Sequence, residues 1–419
     1  MIARRPRQQL SPAPHHARRP RGHAVTRGVA LGLTAVLLAT AGAVAGIAVR
    51  LGGNVQHIDL GGMVAEPSSA PSSTGLDDPG AGSAATILLL GSDQRDGANA
   101  EIGGDADTMA SDTVIVAHIS ADRQRVELVS IPRDSMVRIP ACSAVDGSTS
   151  RPRERAQFNE AFSIGWDLGG DIATAAACAW SAVQENTGVR IDHVAVVDFS
   201  GFQQMIDAID GVDICIPTAM KDRYTGLDLG PGEQRLDGVV ATQLARSRHI
   251  EGSDGSDLNR IGNQQRLLSA VLGEVLAKNV LTDVPELLSF LSAATSSLTT
   301  DGALNVQRIA GLAYSLRGLD RAQITFMTIP NGPDPADRNR VVWTDDADAV
   351  WAAMAQDLPV VPADETSTPD VGGGPEATPS MPATAAAIAP AAPVPAPTHT
   401  RAAGREPFTG ADITATCGA

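Results

Sequence analysis

Residues 112–134 read DTVIVAHISADRQRVELVSIPRD, and the fold class turns on them. Asp112–Ile119 and Arg125–Ile131 are two aliphatic runs rich in Val and Ile, as expected of strands covered on both faces. Ser120-Ala121-Asp122 between them supplies turn chemistry, so the pair predicts a hairpin. Pro132 has no amide proton to give a ladder, so it ends the second strand and leaves Arg133 and Asp134 at its tip. Upstream, Thr86–Leu90 is a further aliphatic run suited to a buried strand. Downstream, helical patterns over Phe158–Trp166, Asp171–Glu185, Gly201–Ile209, Leu236–Ala245, Asp257–Lys278, Val284–Ala294, Val306–Leu316 and Asp346–Gln356 alternate irregularly with strand runs at His193–Phe199, Gly211–Ile216 and Gln323–Ile329. Asp257–Lys278 carries the clearest stripe, through Leu258, Ile261, Gln265, Leu268 and Leu272. Mixed order of this kind predicts an α/β sandwich with a mixed central sheet, rather than a doubly wound parallel one.

This body is expected over residues 84–361. Before it, Gly28–Val49 is an uninterrupted uncharged run between Arg27 and Arg50, long enough to cross a bilayer as a helix. Residues 1–58 carry eight Arg and no Asp or Glu. That +8 leaves −24 for the remainder of a chain whose net charge is −16. The basic side is N-terminal, which predicts a single-pass anchor with residues 1–27 in the cytoplasm and the body outside the cell membrane. A cleaved signal peptide ending near Ala43-Val44-Ala45 is the alternative, and it puts the body in the same place. Residues 50–83 read as a Gly/Ser/Pro-rich linker, 362–404 as a Pro/Ala/Thr-rich tail that cannot bury a core, and 405–419 as a short closing segment with Cys417.

An acidic body argues against nucleic acid as a partner. With aromatic residues at 3% the core must be aliphatic. Lys221 and Lys278 are the only lysines, so an Arg in this chain is not by itself a chosen guanidinium. Four cysteines, Cys142, Cys178, Cys215 and Cys417, contain no CxxC and would face an oxidising compartment. Two disulfides with three possible pairings are the natural expectation, buried free thiols the alternative, and Cys417 is expected to return to the body.

No GxxxxGK[ST], HExxH or GxSxG is present. What remains is carboxylates and arginines at strand ends and loops. Asp93 and Arg95 follow the strand Thr86–Leu90, and Asp112 opens the next. Two carboxylates at one end of neighbouring strands suit Mg²⁺, which takes one or two carboxylates plus phosphate oxygens and water. Turn-forming aspartates are the bland alternative. Arg133 stands past Pro132, Arg246 and Arg248 flank Ser247, and Asp257, Arg260, Gln264 and Gln265 open the long helix, where Arg260 and Gln264 share a face. Arginines suit a diphosphate because a planar fork gives paired, charge-assisted bonds; solvated surface charge is the alternative for any one of them.

The ordered series ILLLGSDQR (87–95), ASDT (110–113), VSIPRD (129–134), FNEAF (158–162), IDHVAVVDFSGF (191–202), GVDICIP (211–217), LDGVVATQLARSRH (236–249) and DLNRIGNQQ (257–265) resembles the LytR-CpsA-Psr family over roughly residues 84–277, and more loosely to 361. The resemblance implies an α/β/α sandwich whose channel holds a polyprenyl chain, with Phe199, Phe202, Met205 and Ile206 as possible wall or ordinary core. It implies a phosphotransferase that moves a glycopolymer from a polyprenyl-pyrophosphate carrier to a peptidoglycan hydroxyl. By position, Asp93 and Asp112 match residues that hold Mg²⁺. Arg133, Arg246, Arg248, Arg260 and Gln264 match residues at the pyrophosphate, with Arg95 beside them, and Asp257 is a candidate to accept the hydroxyl proton.

Three departures stand out. Ala110 occupies a position where the family commonly has Arg, Gln157 one where it often has Lys, and Asp96–Met109 is a long Gly/Ala/Asp insert. Hydrolysis of the same pyrophosphate, and a non-enzymatic wall-binding or regulatory role, are the competing expectations. The glycopolymer itself is not named by the sequence.

Overall fold

The aliphatic runs pair as one large sheet. The computed structural model describes residues 56–64, 78, 80–93, 99, 109–277, 292, 298–361 and 401–412. Its strands are β1 Gln56–Ile58, β2 Ala85–Ser92, β3 Ser111–Ile119, β4 Val126–Ser130, β5 Met136–Ile139, β6 Arg153–Gln157, β7 His193–Val197, β8 Val212–Ile216, β9 Met220–Asp222, β10 Leu227–Leu229, β11 Gly232–Leu236, β12 Leu298–Asp301, β13 Ile324–Thr328, β14 Asn331–Pro333, β15 Val341–Trp343 and β16 Phe408–Thr409. Eight of them form the sheet in the order β1-β12-β7-β2-β3-β4-β13-β16. β2, β3 and β4 are antiparallel neighbours, while β7 joins β2 and β13 joins β4 in parallel. The mixed sheet is therefore as expected.

Alternation along the strands makes two cores. Leu88, Leu90, Val114, Val116, Val129 and Ile131 face one layer, built by α1 Glu160–Gly169, α2 Ile172–Thr187 and α7 Asp345–Ala355. Ile87, Ile115, Ala117, Ile119 and Leu128 face the other, where Leu268, Leu272 and Leu276 of α5 Asp257–Ala277 and Ile309 and Leu312 of α6 Val306–Ser315 pack. Leu88, Val116 and Val129 are wholly buried, each worth about 1.5–3 kcal/mol relative to exposure. A third cluster joins α3 Phe199–Ala208, α4 Gly238–Arg246 and the small antiparallel ladders β8–β11 and β9–β10 to α5. Ile206 is buried in it and Phe202 packs against it, so the core alternative describes these two.

Two boundaries differ from expectation. Within the stretch read as linker, β1 pairs with β12 and Leu60 is buried. Near the other end, Gly404 is already folded in and β16 pairs with β13. Short strands in Gly-rich or polar surroundings have no pattern of their own, and the sheet edges recruit them. A disulfide joins Cys142 to Cys178 of α2 across a Cα–Cα distance of 5.1 Å, Cys215 is also disulfide-bonded, and no described cysteine is free. Closing a loop of 36 residues' separation contributes about 3–4 kcal/mol in the chain-entropy picture.

Among the described residues no helix is long and apolar enough to cross a membrane. The expected anchor at 28–49, the basic segment 1–27, the helix over 284–294 apart from Ser292, Arg95, Cys417 and most of the tail lie outside the described residues.

Candidate active site

One end of the sheet collects the candidate residues, because the strand directions bring them there. β2 ends at Ser92, antiparallel β3 begins at Ser111, and β4 ends at Ser130 ahead of Pro132 and Arg133. The ladder pairs Gly91 with Thr113 but Ser92 with Ser111. Asp112 is therefore the extra residue of a β-bulge, a device that re-aims a side chain at a sheet edge. Gly91 is required there, since a Cβ would meet Thr113 Cβ at 2.9 Å. Asp93 N donates to Ala110 O at 2.9 Å, which keeps Asp93 beside this bulge.

Arg133 and Arg260 converge on Asp112. Arg133 Nη1 donates to Asp112 Oδ1 at 2.7 Å. Arg260 Nη1 lies 3.3 Å from Asp112 Oδ2, and its Nη2 donates to the Asp112 carbonyl at 2.7 Å. Asp257, in the first turn of α5, accepts the Arg133 amide proton on Oδ2 at 3.2 Å. Its Oδ1 is 2.6 Å from Arg260 Nη2, close enough for an ion pair although not aligned as a hydrogen bond. The Asp112 carboxylate is the open member, at 34% exposure against 3% for the Arg260 side chain.

Electrostatics separates the two carboxylates. Burial opposes the charged form of both. For Asp112, Arg260 and Arg133 outweigh burial and hold the carboxyl below its ordinary value. For Asp257 burial wins, aided by neighbouring Asp134, and its pKa is raised despite Arg260 and Arg133. Burial is the largest influence on Arg133 too, but Asp112, Asp257 and Asp134 overcome it and raise its pKa. Arg248 goes the other way: burial, then the like charges of Arg133 and Arg260, push it down. Its Nε is buried without a hydrogen-bond partner, as are those of Arg133 and Arg260.

The RSRH segment is a helix end turning into extended chain, not an extended strand throughout. Arg246 closes α4, Ser247 is its C-cap at φ −67° and ψ 124°, and the amides of Arg248 and His249 donate to Asp222 Oδ2 at 3.0 and 2.8 Å. Arg246 lies over the ring of Phe199, 4.4 Å from its centroid, while Arg248 joins Arg133 and Arg260. Gln264 ties the parts together, donating to Thr113 Oγ1 at 3.0 Å and Ala245 O at 2.9 Å. Gln265 points elsewhere, bonding Ser130, Thr328 and the Gly404 amide.

Sequence reasoning missed Arg340. Its guanidinium is 3.4 Å from Asp134 Oδ1, and Gln157 donates to the same carboxylate at 2.9 Å and accepts from Arg340 Nη2 at 3.3 Å. Asp134 is 3.8 Å from Arg133 Nε. A guanidinium from a distant loop thus reaches the neighbourhood of Gln157. Only tertiary contact could reveal it, since PADRNR carries no periodic signal.

The chain is 28% identical over 349 residues to the cell wall biosynthesis protein LcpA of Corynebacterium glutamicum, covering 78% of this chain and 64% of that protein. It is 30% identical over 247 residues to the polyisoprenyl-teichoic acid–peptidoglycan teichoic acid transferase TagU of Oceanobacillus iheyensis, covering 59% of this chain and 67% of that protein. Its match thus spans less than two thirds of LcpA. A LytR-Csp2A-Psr enzyme from Actinomyces oris shares the fold, with a TM-score of 0.52 at 22% identity over 72% of this chain and 96% of that one. The LytR_cpsA_psr family matches residues 65–356, well over half of the sequence, and the chain belongs to it.

Proposed function

We propose that this chain transfers a glycopolymer from a polyprenyl-pyrophosphate carrier to a peptidoglycan hydroxyl. The observation that carries the reading is the crowding of Arg133, Arg248 and Arg260. Arg248 is pushed down by burial and by the other two, and its Nε lacks a partner. A diphosphate supplies both the missing acceptors and the missing negative charge. The relatives named for cell wall biosynthesis and teichoic acid transfer support the same reading.

In this mechanism the three guanidiniums bind the pyrophosphate and orient it for in-line attack. Asp112 stays ionised and aims Arg133 and Arg260. Asp257, fixed by the Arg133 amide, accepts the proton of the attacking hydroxyl. The hydroxyl oxygen bonds to the sugar-linked phosphorus, the bond to the bridging oxygen breaks, and polyprenyl phosphate leaves. Asp93 and Asp112 are the residues that would hold Mg²⁺. Asp112 Oδ1 and Oδ2 each face one guanidinium and keep further lone pairs, and two carboxylates with phosphate oxygens form a donor set that suits this ion. Bound there, Mg²⁺ supplies charge neutralisation at the transferring group. The charge asymmetry about residues 28–49 supports a single-pass anchor with this site outside the cell, which a compartment-specific reporter fused after Leu60 checks.

The test uses the full chain in membrane mimic with glycan-labelled carrier lipid and soluble peptidoglycan oligomers. Label on the oligomers is the expected outcome. Label released to solution favours hydrolysis, and no consumption of carrier lipid removes both enzymatic readings. The acid limb of kcat/KM should follow Asp257. Its raised pKa keeps it protonated, and so inactive as a base, to higher pH than an ordinary carboxyl of 3.8; activity rises as pH passes the raised pKa. Asp257→Asn should remove the limb as well as most of the rate.

A further inference from the structure

A cavity of about 410 Å³ is lined by Leu258, the residue that follows Asp257 in α5, together with Asn331, Thr344, Asp346 and Arg405; its volume is within the roughly 300–1,000 Å³ typical of ligand pockets. Its position follows from the sheet. At this end the order of strands places Phe199 with Arg246 after β7, Asp93 after β2, Asp112 at the start of β3, Arg133 after β4, Ile329 to Asn331 after β13, and Arg405 to Pro407 ahead of β16. The anion-binding groups occupy the β7-to-β4 part of this line and the cavity occupies the β13-to-β16 part. Asp257 stands at the junction: it bonds the Arg133 amide, and the next residue, Leu258, lines the cavity.

We infer that this cavity holds a sugar of the acceptor glycan strand, presenting its hydroxyl to Asp257; the inference rests on the transfer reading above. The lining sets the chemistry. Leu258, Pro330 and Pro407 give apolar surface, while Asn331, Thr344, Asp346 and Arg405 give an amide, a hydroxyl, a carboxylate and a guanidinium. Arg405 is already paired with Asp254 at 2.7 Å, so the cavity does not repeat the excess of guanidinium found at Arg248. Polar groups of both charges and of none, set over an apolar surface, fit a hydroxyl- and amide-bearing sugar better than a polyanion or a lipid tail.

The wall formed by residues 404–407 is built into the fold. Gly404 N donates to Gln265 Oε1 at 2.9 Å, and Gln265 Nε2 in turn donates to Ser130 and Thr328. Gly404 holds φ +84°, and a Cβ there would run into the backbone of Leu258 and Gly262. Phe408 stacks on Phe326 with centroids 5.0 Å apart. The closing segment is thereby held against α5 one helical turn from Asp257 and Arg260.

The test measures binding of soluble peptidoglycan oligomers to the full chain by calorimetry, with turnover of the carrier lipid measured separately. Asn331→Trp should fill the cavity and weaken oligomer binding about tenfold, and Asp346→Ala, on an exposed helix turn, should weaken it in a variant with little risk to folding. Hydrolysis of the carrier lipid in the absence of acceptor should be unchanged in both. Oligomer binding unaltered in folded Asn331→Trp and Asp346→Ala overturns the inference, as does a wild-type chain that binds no oligomer. A chain that binds oligomer through this cavity but never consumes the carrier lipid would instead overturn the transfer reading alone.

Discussion

The two ends of the central sheet both bury ionic clusters, and only one resembles a site. At the far end, Arg123 Nε donates to Asp78 Oδ2 at 2.7 Å and its remaining nitrogens reach the carbonyls of Ser83, Ser120 and Gly80 at 2.7–2.8 Å. His118 sits between Thr86 Oγ1 and Asp357 Oδ1, each at 3.0 Å. Arg125 bridges Asp357 and Glu127. The cavity there is the larger of the two described, about 450 Å³, and several of the groups lining it are paired: Arg123 with Asp78, Arg190 with Asp192, His118 with Asp357. At the near end Arg133 and Arg260 share Asp112 and Asp257, while Arg248 is crowded by both guanidiniums and its buried Nε has no hydrogen-bond partner. Cavity size favours the far end, and the like charges crowded around Arg248 favour the near one.

Replacing Arg123 by Ala is the largest change expected. It leaves the Asp78 carboxylate, 4% exposed, without its partner, and breaking a buried pair costs about 3–5 kcal/mol. Ala also inherits the φ of 60° that Arg123 adopts, a strained conformation that the four contacts now hold in place. Urea unfolding should show the loss, while carrier-lipid turnover per folded molecule stays at the wild-type level. A large fall in turnover without a fall in stability would mean that the far end is functional after all.

Arg248→Ala is the mirror experiment. Loss of one contact to developing charge costs on the order of 3 kcal/mol, about a hundredfold in rate. Stability should hold or rise, because a half-buried charge crowded by Arg133 and Arg260 is removed. Arg248→Lys should recover only part of the rate, since a point charge cannot reproduce a planar fork. If Arg248→Ala instead destabilised the fold as Arg123→Ala does, and kept its rate, the two ends would be alike and both clusters structural.

The near end was largely legible in the sequence, and the reasons are local. β2, β3 and β4 are buried on both faces, so ATILLLGS, SDTVIVAHI and VELVS are aliphatic almost without interruption. Pro132 marks where Arg133 leaves the sheet. Asp257, Arg260 and Gln264 share a helix face whatever that helix packs against. Contacts between distant segments were not legible. β6 (RERAQ) and β11 (GEQRL) carry charges on their open faces and read as loop, and β1 and β16 are too short to show a period. The bulge that turns Asp112, the approach of Arg340 to Asp134 and the return of Gly404 to Gln265 depend on which segments meet. None leaves a trace in local composition.

The smallest effect expected tests whether the far cluster is as settled as its partners suggest. Glu127 is 1% exposed. One of its oxygens accepts from Val360 N at 2.9 Å and faces Arg125 Nε at 3.0 Å, while Oε2 has no partner. Burial outweighs these contacts and raises its pKa above the ordinary 4.5. A carboxyl raised on folding contributes stability that is fully present below its unfolded value and is lost as pH rises through the folded value. The advantage of wild type over Glu127→Gln should therefore be greatest below about pH 4.5 and shrink on the way to neutral pH. The loss amounts to on the order of 1 kcal/mol for each tenfold by which folding strengthens proton binding. Glutamine keeps an acceptor for Val360, and Arg125 keeps Asp357, so the substitution isolates the charge. Urea midpoints of the two proteins between pH 4 and pH 7 measure it. A gap that widened toward neutral pH would mean that the Glu127 carboxylate is a net stabilising anion, and that the far cluster holds its charges by attraction strong enough to defeat burial.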